Sequence, residues 1–180
     1  MKVLLDTCVL YPTVMREVLL AVARTGAFQP LWSARILEEW ARAARKLGPT
    51  GEPQARTEIA LVSRDWPRAE VSWPPSLENR LYLPDPADVH VLAAAIAGSA
   101  DVLLTMNAKD FPKHTLAEEG LSRQTPDELL YHCWLAAPSA VAAAVEQVRQ
   151  QADLLSGETW DTRKLLKKAR LPRLGKALSR

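Results

Sequence analysis

Residues 89–97 read VHVLAAAIA and are apolar almost all the way round a helical circumference. Such a helix has no face for water, so the rest of the chain must cover it on every side. Its start is marked by residue chemistry. Asp85 is a natural N-cap, Pro86 suits the first helical position, Asp88 falls at the third, and Gly98 supplies the stop. A helix buried in this way needs layers around it. The short apolar runs at Lys2–Leu5 and Val102–Leu104 have the unbroken character of strands buried on both faces of a parallel sheet.

Helical spacing recurs elsewhere. Residues 12–24 place Val14, Val18, Leu19 and Val22 near one face, with Gly26 as the stop. Ser33 is a good N-cap for residues 34–46, whose apolar stripe is Ile36, Leu37, Trp40 and Ala44. The Gly-Pro-Thr-Gly run at 48–51 breaks the chain, and 53–65 predicts another helix. Residues 28–32 and 70–73 predict short strands. Thr125, Pro126, Asp127 and Glu128 spell a capping box that opens a helix through about Ala136. Pro138 starts another helix, over 140–155, and Gly157 ends it. Strands alternating with helices predict an α/β fold with a mainly parallel central sheet.

Charge is distributed unevenly. Of 23 Lys and Arg, eight lie in 163–180: Arg163, Lys164, Lys167, Lys168, Arg170, Arg173, Lys176 and Arg180. No acid follows Asp161, so residues 1–162 hold 15 basic residues against all 21 acidic ones. A basic tail on an acidic body suits a polyanion or an acidic protein partner, or else a solvated helical face. No uncharged apolar stretch approaches the roughly 20 residues that span a bilayer, so no membrane partner is expected. The apolar start MKVLL is broken at Asp6, too soon for a secretory signal. Cys8 and Cys133 have neither disulfide-framework nor zinc spacing, and a cytoplasmic location is expected.

In an open parallel sheet, strand C-termini and helix N-termini share one edge, where ligands collect. Asp6 follows the first strand. Asn107 and Asp110 follow the strand ending near Thr105, and Asp88 opens the buried helix. Carboxylates brought together repel and must be neutralised by protonation or a cation. Hard oxygen donors suit Mg²⁺ or Mn²⁺. Each acid also has a plainer explanation. Asp6 could cap the following turn, Asp88 could favour the helix N-terminus, and Asp110 could be an exposed loop charge. Glu38 and Glu39 both lie off the apolar stripe, and periodicity does not choose between them.

LLDTCVLYP, WSARILEEW and LPDPADVHVLAAAIAGSADVLLTMNAKDFP together resemble the successive motifs of PIN-domain nucleases, and most of all the VapC-like toxins of toxin–antitoxin pairs. The resemblance covers about residues 2–130, in order and spacing. It implies a three-layer α/β/α PIN-like fold over 1–136, with residues 137–180 as a basic helical C-terminal extension. It implies a metal-dependent ribonuclease whose catalytic acids match Asp6, Glu39 (with Glu38 as the alternate) and Asp88, rather than Asp85. These three would hold Mg²⁺ or Mn²⁺ together with Asp110 or Asn107. Asn107 stands where the family usually has an Asp, and Asp110 would supply the missing charge. With water as nucleophile, the products should carry a 5′-phosphate.

The histidines His90, His114 and His132 are expected to be structural or surface residues. Cys8 is expected in the core. Thr7 and Thr105 are candidates for supporting the site. The tail residues Arg163, Lys164, Lys167 and Lys168 are candidate RNA-binding residues, and Trp160 could stack on a base. The partners implied are an RNA such as transfer RNA, a cognate antitoxin and a second copy of the chain. The alternatives are a PIN nuclease for RNA processing or DNA without an antitoxin, and a non-catalytic binding domain, which Asn107 alone favours.

Overall fold

A computed structural model describes residues 1–179 of the 180, so Arg180 of the basic tail lies outside the described residues. The described strands are β1 (Lys2–Leu5), β2 (Gln29–Leu31), β3 (Val102–Leu104) and β4 (Ser122–Gln124). The described α-helices are α1 (Thr7–Leu10), α2 (Thr13–Arg24), α3 (Ala34–Ala43), α4 (Gly51–Asp65), α5 (Pro75–Asn79), α6 (Val89–Ala97), α7 (Lys113–Glu118), α8 (Pro126–Ala136), α9 (Pro138–Ser156), α10 (Thr162–Lys168) and α11 (Pro172–Ala177). The sheet has the order β2-β1-β3-β4, and β1 pairs in parallel with both β2 and β3. With its flanking helices it is a three-layer α/β/α architecture with additional C-terminal helices. No described helix is long and apolar enough to cross a membrane.

Two compact units divide the chain. One comprises Met1–Tyr11 and Gln29–Arg123, and the other Pro12–Phe28 with the chain from Gln124 onward. The first holds the sheet. Val3, Leu4, Leu5, Leu103 and Leu104 have no exposed surface, as strands covered on both faces must. The α6 helix packs against β1 and β3, and His90 to Ala95 are all buried. Small side chains let it lie close. Gly98, at its end, is a case of the same economy: a Cβ there would meet Leu31 Cδ1 at 2.7 Å.

Ser33 caps α3 by accepting the Ile36 N–H at 3.1 Å, and the stripe Ile36, Leu37, Trp40 and Ala44 is buried as its spacing predicts. The helix ends at Ala43 rather than 46, where Ala44–Leu47 tightens into a 3-10 turn. The predicted strand at 70–73 reduces to one parallel bridge between Trp32 and Glu70.

The second unit is helical. The capping box at Thr125 and Glu128 is formed in full and opens α8. Asp127, beside it, does more than favour a helix start: its carboxylate accepts the N–H groups of Arg173 and Leu174 and so caps α11. Arg149 pairs with Glu146 and Asp153 and donates to the Trp160 carbonyl, which ties α9 to the segment leading into α10. Leu165, Leu166, Leu171 and Leu174 are buried, so the amphipathic tail contributes to a core.

Candidate active site

Three side chains at the start of the sequence build the centre of the site. β1 delivers Asp6, which is 5% exposed, to the N-terminus of α1. Its Oδ1 accepts the Thr7 N–H at 2.7 Å, as an N-cap does. Its Oδ2 accepts the Thr105 hydroxyl at 2.7 Å and the Cys8 thiol at 3.2 Å. Burial pushes the Asp6 carboxyl up from its ordinary range, the Thr105, Cys8 and Thr7 hydrogen bonds pull it back, and the charge of Glu39 adds to the rise. Capping and site-building are therefore one arrangement, since one oxygen closes the turn while the other joins a buried network.

Glu39 faces the same place. Its Oε2 accepts the Thr7 hydroxyl at 3.0 Å, and its Oε1 lies 2.8 Å from His90 Nε2 and 3.6 Å from Arg35 Nε. Burial works against its ionisation, but His90, Thr7 and Arg35 outweigh it and hold the carboxyl below the usual range. Glu38 points into a different network. It accepts from Arg42 and Arg56, and Arg56 and Arg45 both pair with Glu52, which zips α3 to α4. The geometry thus separates two neighbours that helical periodicity left equivalent.

Asp88 stands at the N-cap position of α6 without capping it. Asp85, three residues earlier, caps the 3-10 turn Pro86–Asp88 that leads into α6, accepting the Ala87 N–H at 2.9 Å. The Asp88 carboxyl is lifted to about 6 by burial and by the charges of Asp6, Asp110 and Asp85. Asp6, Asp110 and Asp88 therefore share one electrostatic neighbourhood, to which Glu39 is joined through Asp6. Asn107 is exposed; its backbone N–H donates to Thr105 Oγ1 at 3.0 Å, which places it next to the Asp6 network. Arg123 holds this loop by donating to the carbonyls of Ala108 and Phe111.

Among the described residues, no group of three His, Cys, Asp or Glu side chains is placed closely enough to hold a metal ion. The donor set nonetheless fits a divalent cation in its chemistry. It consists of carboxylate oxygens from separate elements, partly open to solvent at Asp88, with mutual repulsion that a cation would relieve. Mg²⁺ or Mn²⁺ matches such donors, whereas a site built for zinc would offer imidazole or thiolate.

Cys8 differs from its sequence-based expectation, and His90 and Arg123 have partners that the sequence did not assign. Cys8 is half-buried and bonded to Asp6 and Thr105, rather than filling the core, and its thiol is pushed up to about 12, chiefly by burial. His90 is 1% exposed and lies against Glu39. Arg123 carried no recognisable signal, because its two carbonyl partners belong to a loop and not to a motif. The two-residue offsets Asp6–Cys8 and Asp88–His90 are visible in the sequence, but only the fold shows what they face. The tail residues Arg163, Lys164, Lys167 and Lys168 are exposed and belong to the second unit.

A family model described as PIN domain matches residues 2–109, which takes in Asp6, Glu39, Asp88 and Asn107. Neither the curated proteins nor the solved structures gave a match.

Proposed function

The chain belongs to the PIN-domain family, and from that premise we propose that it is a metal-dependent endoribonuclease acting as the toxin of a toxin–antitoxin pair. PIN domains are generally nucleases, so a nucleic acid is the substrate class. One observation supports the finer reading most: burial and the charges of Asp6, Asp110 and Asp85 raise the Asp88 carboxyl at the start of α6, with Glu39 beside Asp6. A bound divalent cation would offset that repulsion and favour the ionised carboxylates.

Asp6, Glu39 and Asp88 would hold Mg²⁺ or Mn²⁺, with Asp110 or the Asn107 carboxamide as a further donor. When bound, the ion supplies an acidified water and offsets charge on the phosphoryl oxygens. The protein's own part is orientation. Thr105 and Cys8 fix one Asp6 oxygen, Thr7 bridges Asp6 to Glu39, and Arg123 pins the loop bearing Asn107 and Asp110. Asp88, spared from capping, keeps its carboxylate available. Arg163, Lys164, Lys167 and Lys168 are assigned to RNA phosphates, and the cognate antitoxin is the expected protein partner.

The test is to incubate purified protein with cellular RNA, with Mg²⁺ or Mn²⁺ and with chelator, and to sequence the 5′ ends. New 5′-phosphate ends that need metal and vanish in Asp6→Asn are expected. Ends that form equally with chelator, or equally in Asp6→Asn, would overturn the assignment. For the toxin role, expression without the neighbouring gene should arrest growth and co-expression should relieve it. Asn107, in place of an acid, favours a second reading as an RNA-binding domain without catalysis. Tight RNA binding with no metal-dependent ends would select it.

A further inference from the structure

We propose that His90 is a positioning residue that holds the Glu39 carboxylate toward the candidate site. The inference rests on the metal-site reading above and extends it to a residue that reading does not use. His90 is the second residue of α6 and is 1% exposed. Its Nε2 lies 2.8 Å from Glu39 Oε1, and neither ring nitrogen has a well-aligned hydrogen-bond partner among the described residues. A buried imidazole without a polar contact loses its hydration for nothing, so a place filled only for packing would favour an apolar side chain. Glu39 is the polar contact this ring has.

Glu39 has the opposite difficulty. Its side chain is 39% exposed and has three rotatable torsions, so it would sample several rotamers if left alone. Two elements other than its own hold it. Thr7, on α1, donates to Oε2 at 3.0 Å, and His90, on α6, meets Oε1. Arg35, one turn earlier on α3, lies 3.6 Å from the same Oε1 but is itself half-exposed. Because His90 lies two residues after Asp88, the first turn of α6 both presents one acid and aims another. Side chains that orient ligands in this way affect metal affinity about 10- to 100-fold on removal.

The test compares wild type, His90→Leu and His90→Gln. Leucine keeps apolar bulk and removes the ring nitrogens, whereas glutamine returns an N–H near the Nε2 position. Mn²⁺ affinity is read by electron paramagnetic resonance on folded, RNA-free protein, so catalysis is not the readout. His90→Leu should weaken Mn²⁺ binding about tenfold or more, and His90→Gln should recover most of it. A metal-free double-mutant cycle between His90→Leu and Glu39→Gln, followed by thermal unfolding, should be non-additive. Additive effects in that cycle, unchanged Mn²⁺ affinity in folded His90→Leu, or equal weakening in both His90 variants would each overturn the positioning role. Wild-type protein that binds no Mn²⁺ would instead overturn the metal-site reading, and the positioning role with it.

Discussion

At the scale of single residues, Asp88 shows how placement sets chemistry. An unfolded chain titrates an aspartate near pH 4, and here folding raises it to about 6 through burial and the charges of Asp6, Asp110 and Asp85. An acid raised by folding binds its proton more tightly in the folded state. Ionising it therefore costs stability, a cost absent below about pH 4 and complete above about pH 6. Asp88→Asn removes that cost. In metal-free buffer the variant should be more stable than wild type at pH 7.5, with the advantage fading toward pH 4. Solvent screening at this partly exposed carboxyl keeps the gain to about 1 kcal/mol or less. Thermal unfolding across that pH range measures it, and a difference that ignores pH would remove the electrostatic cause. The same variant should lose cleavage. Asp85→Asn should retain it, because Asn caps the Ala87 N–H about as well as Asp.

The elements explain why some of this was legible in advance. Ser33 and the stripe Ile36, Leu37, Trp40 and Ala44 announced α3, and the all-apolar run announced α6. Local chemistry determines both, so local sequence reveals both. The choice between Glu38 and Glu39 is not local. It depends on Arg56 of α4 on one side and on Thr7 of α1 and His90 of α6 on the other. The strand β4 was invisible for a related reason: its residues, Ser-Arg-Gln, have no apolar pattern, and its place is set by the Ser122 N–H donating to the Asp101 carbonyl. Helix α3 also carries its own prediction. The Ser33 hydroxyl is buried and satisfies the Ile36 N–H, so Ser33→Ala should cost about 1 kcal/mol in chemical denaturation. Since α3 aims Glu39, Mn²⁺ affinity should fall as well, and an unchanged unfolding midpoint would mean the cap is not needed.

At the scale of the whole molecule, the basic tail presents exposed cations, whereas several arginines elsewhere in the chain are paired with carboxylates. Arg42, Arg45, Arg56, Arg64, Arg80 and Arg149 all meet carboxylates. Arg163, Lys164, Lys167 and Lys168 are exposed with no ion pair among the described residues, although Lys168 also lies 4.9 Å over the Trp160 ring. That contact leaves Trp160 partly covered, so stacking on a base would have to displace a lysine. Deleting the tail is a poor test of these charges. Leu165, Leu166, Leu171 and Leu174 are buried with it, and losing four buried leucines removes about 6–12 kcal/mol of burial. That rivals the about 5–15 kcal/mol that holds a whole domain together. Changing Arg163, Lys164, Lys167 and Lys168 to Gln keeps every buried leucine and removes four charges. If they contact phosphates, RNA affinity should fall and the slope of log affinity against log salt should shrink by about 0.7 per contact, up to about 3 in all. Cleavage of a short single strand at saturating concentration should persist, because none of the four belongs to the candidate site. An unchanged salt slope would exclude phosphate contact, and lost binding of an acidic antitoxin in the same variant would identify the partner those charges serve.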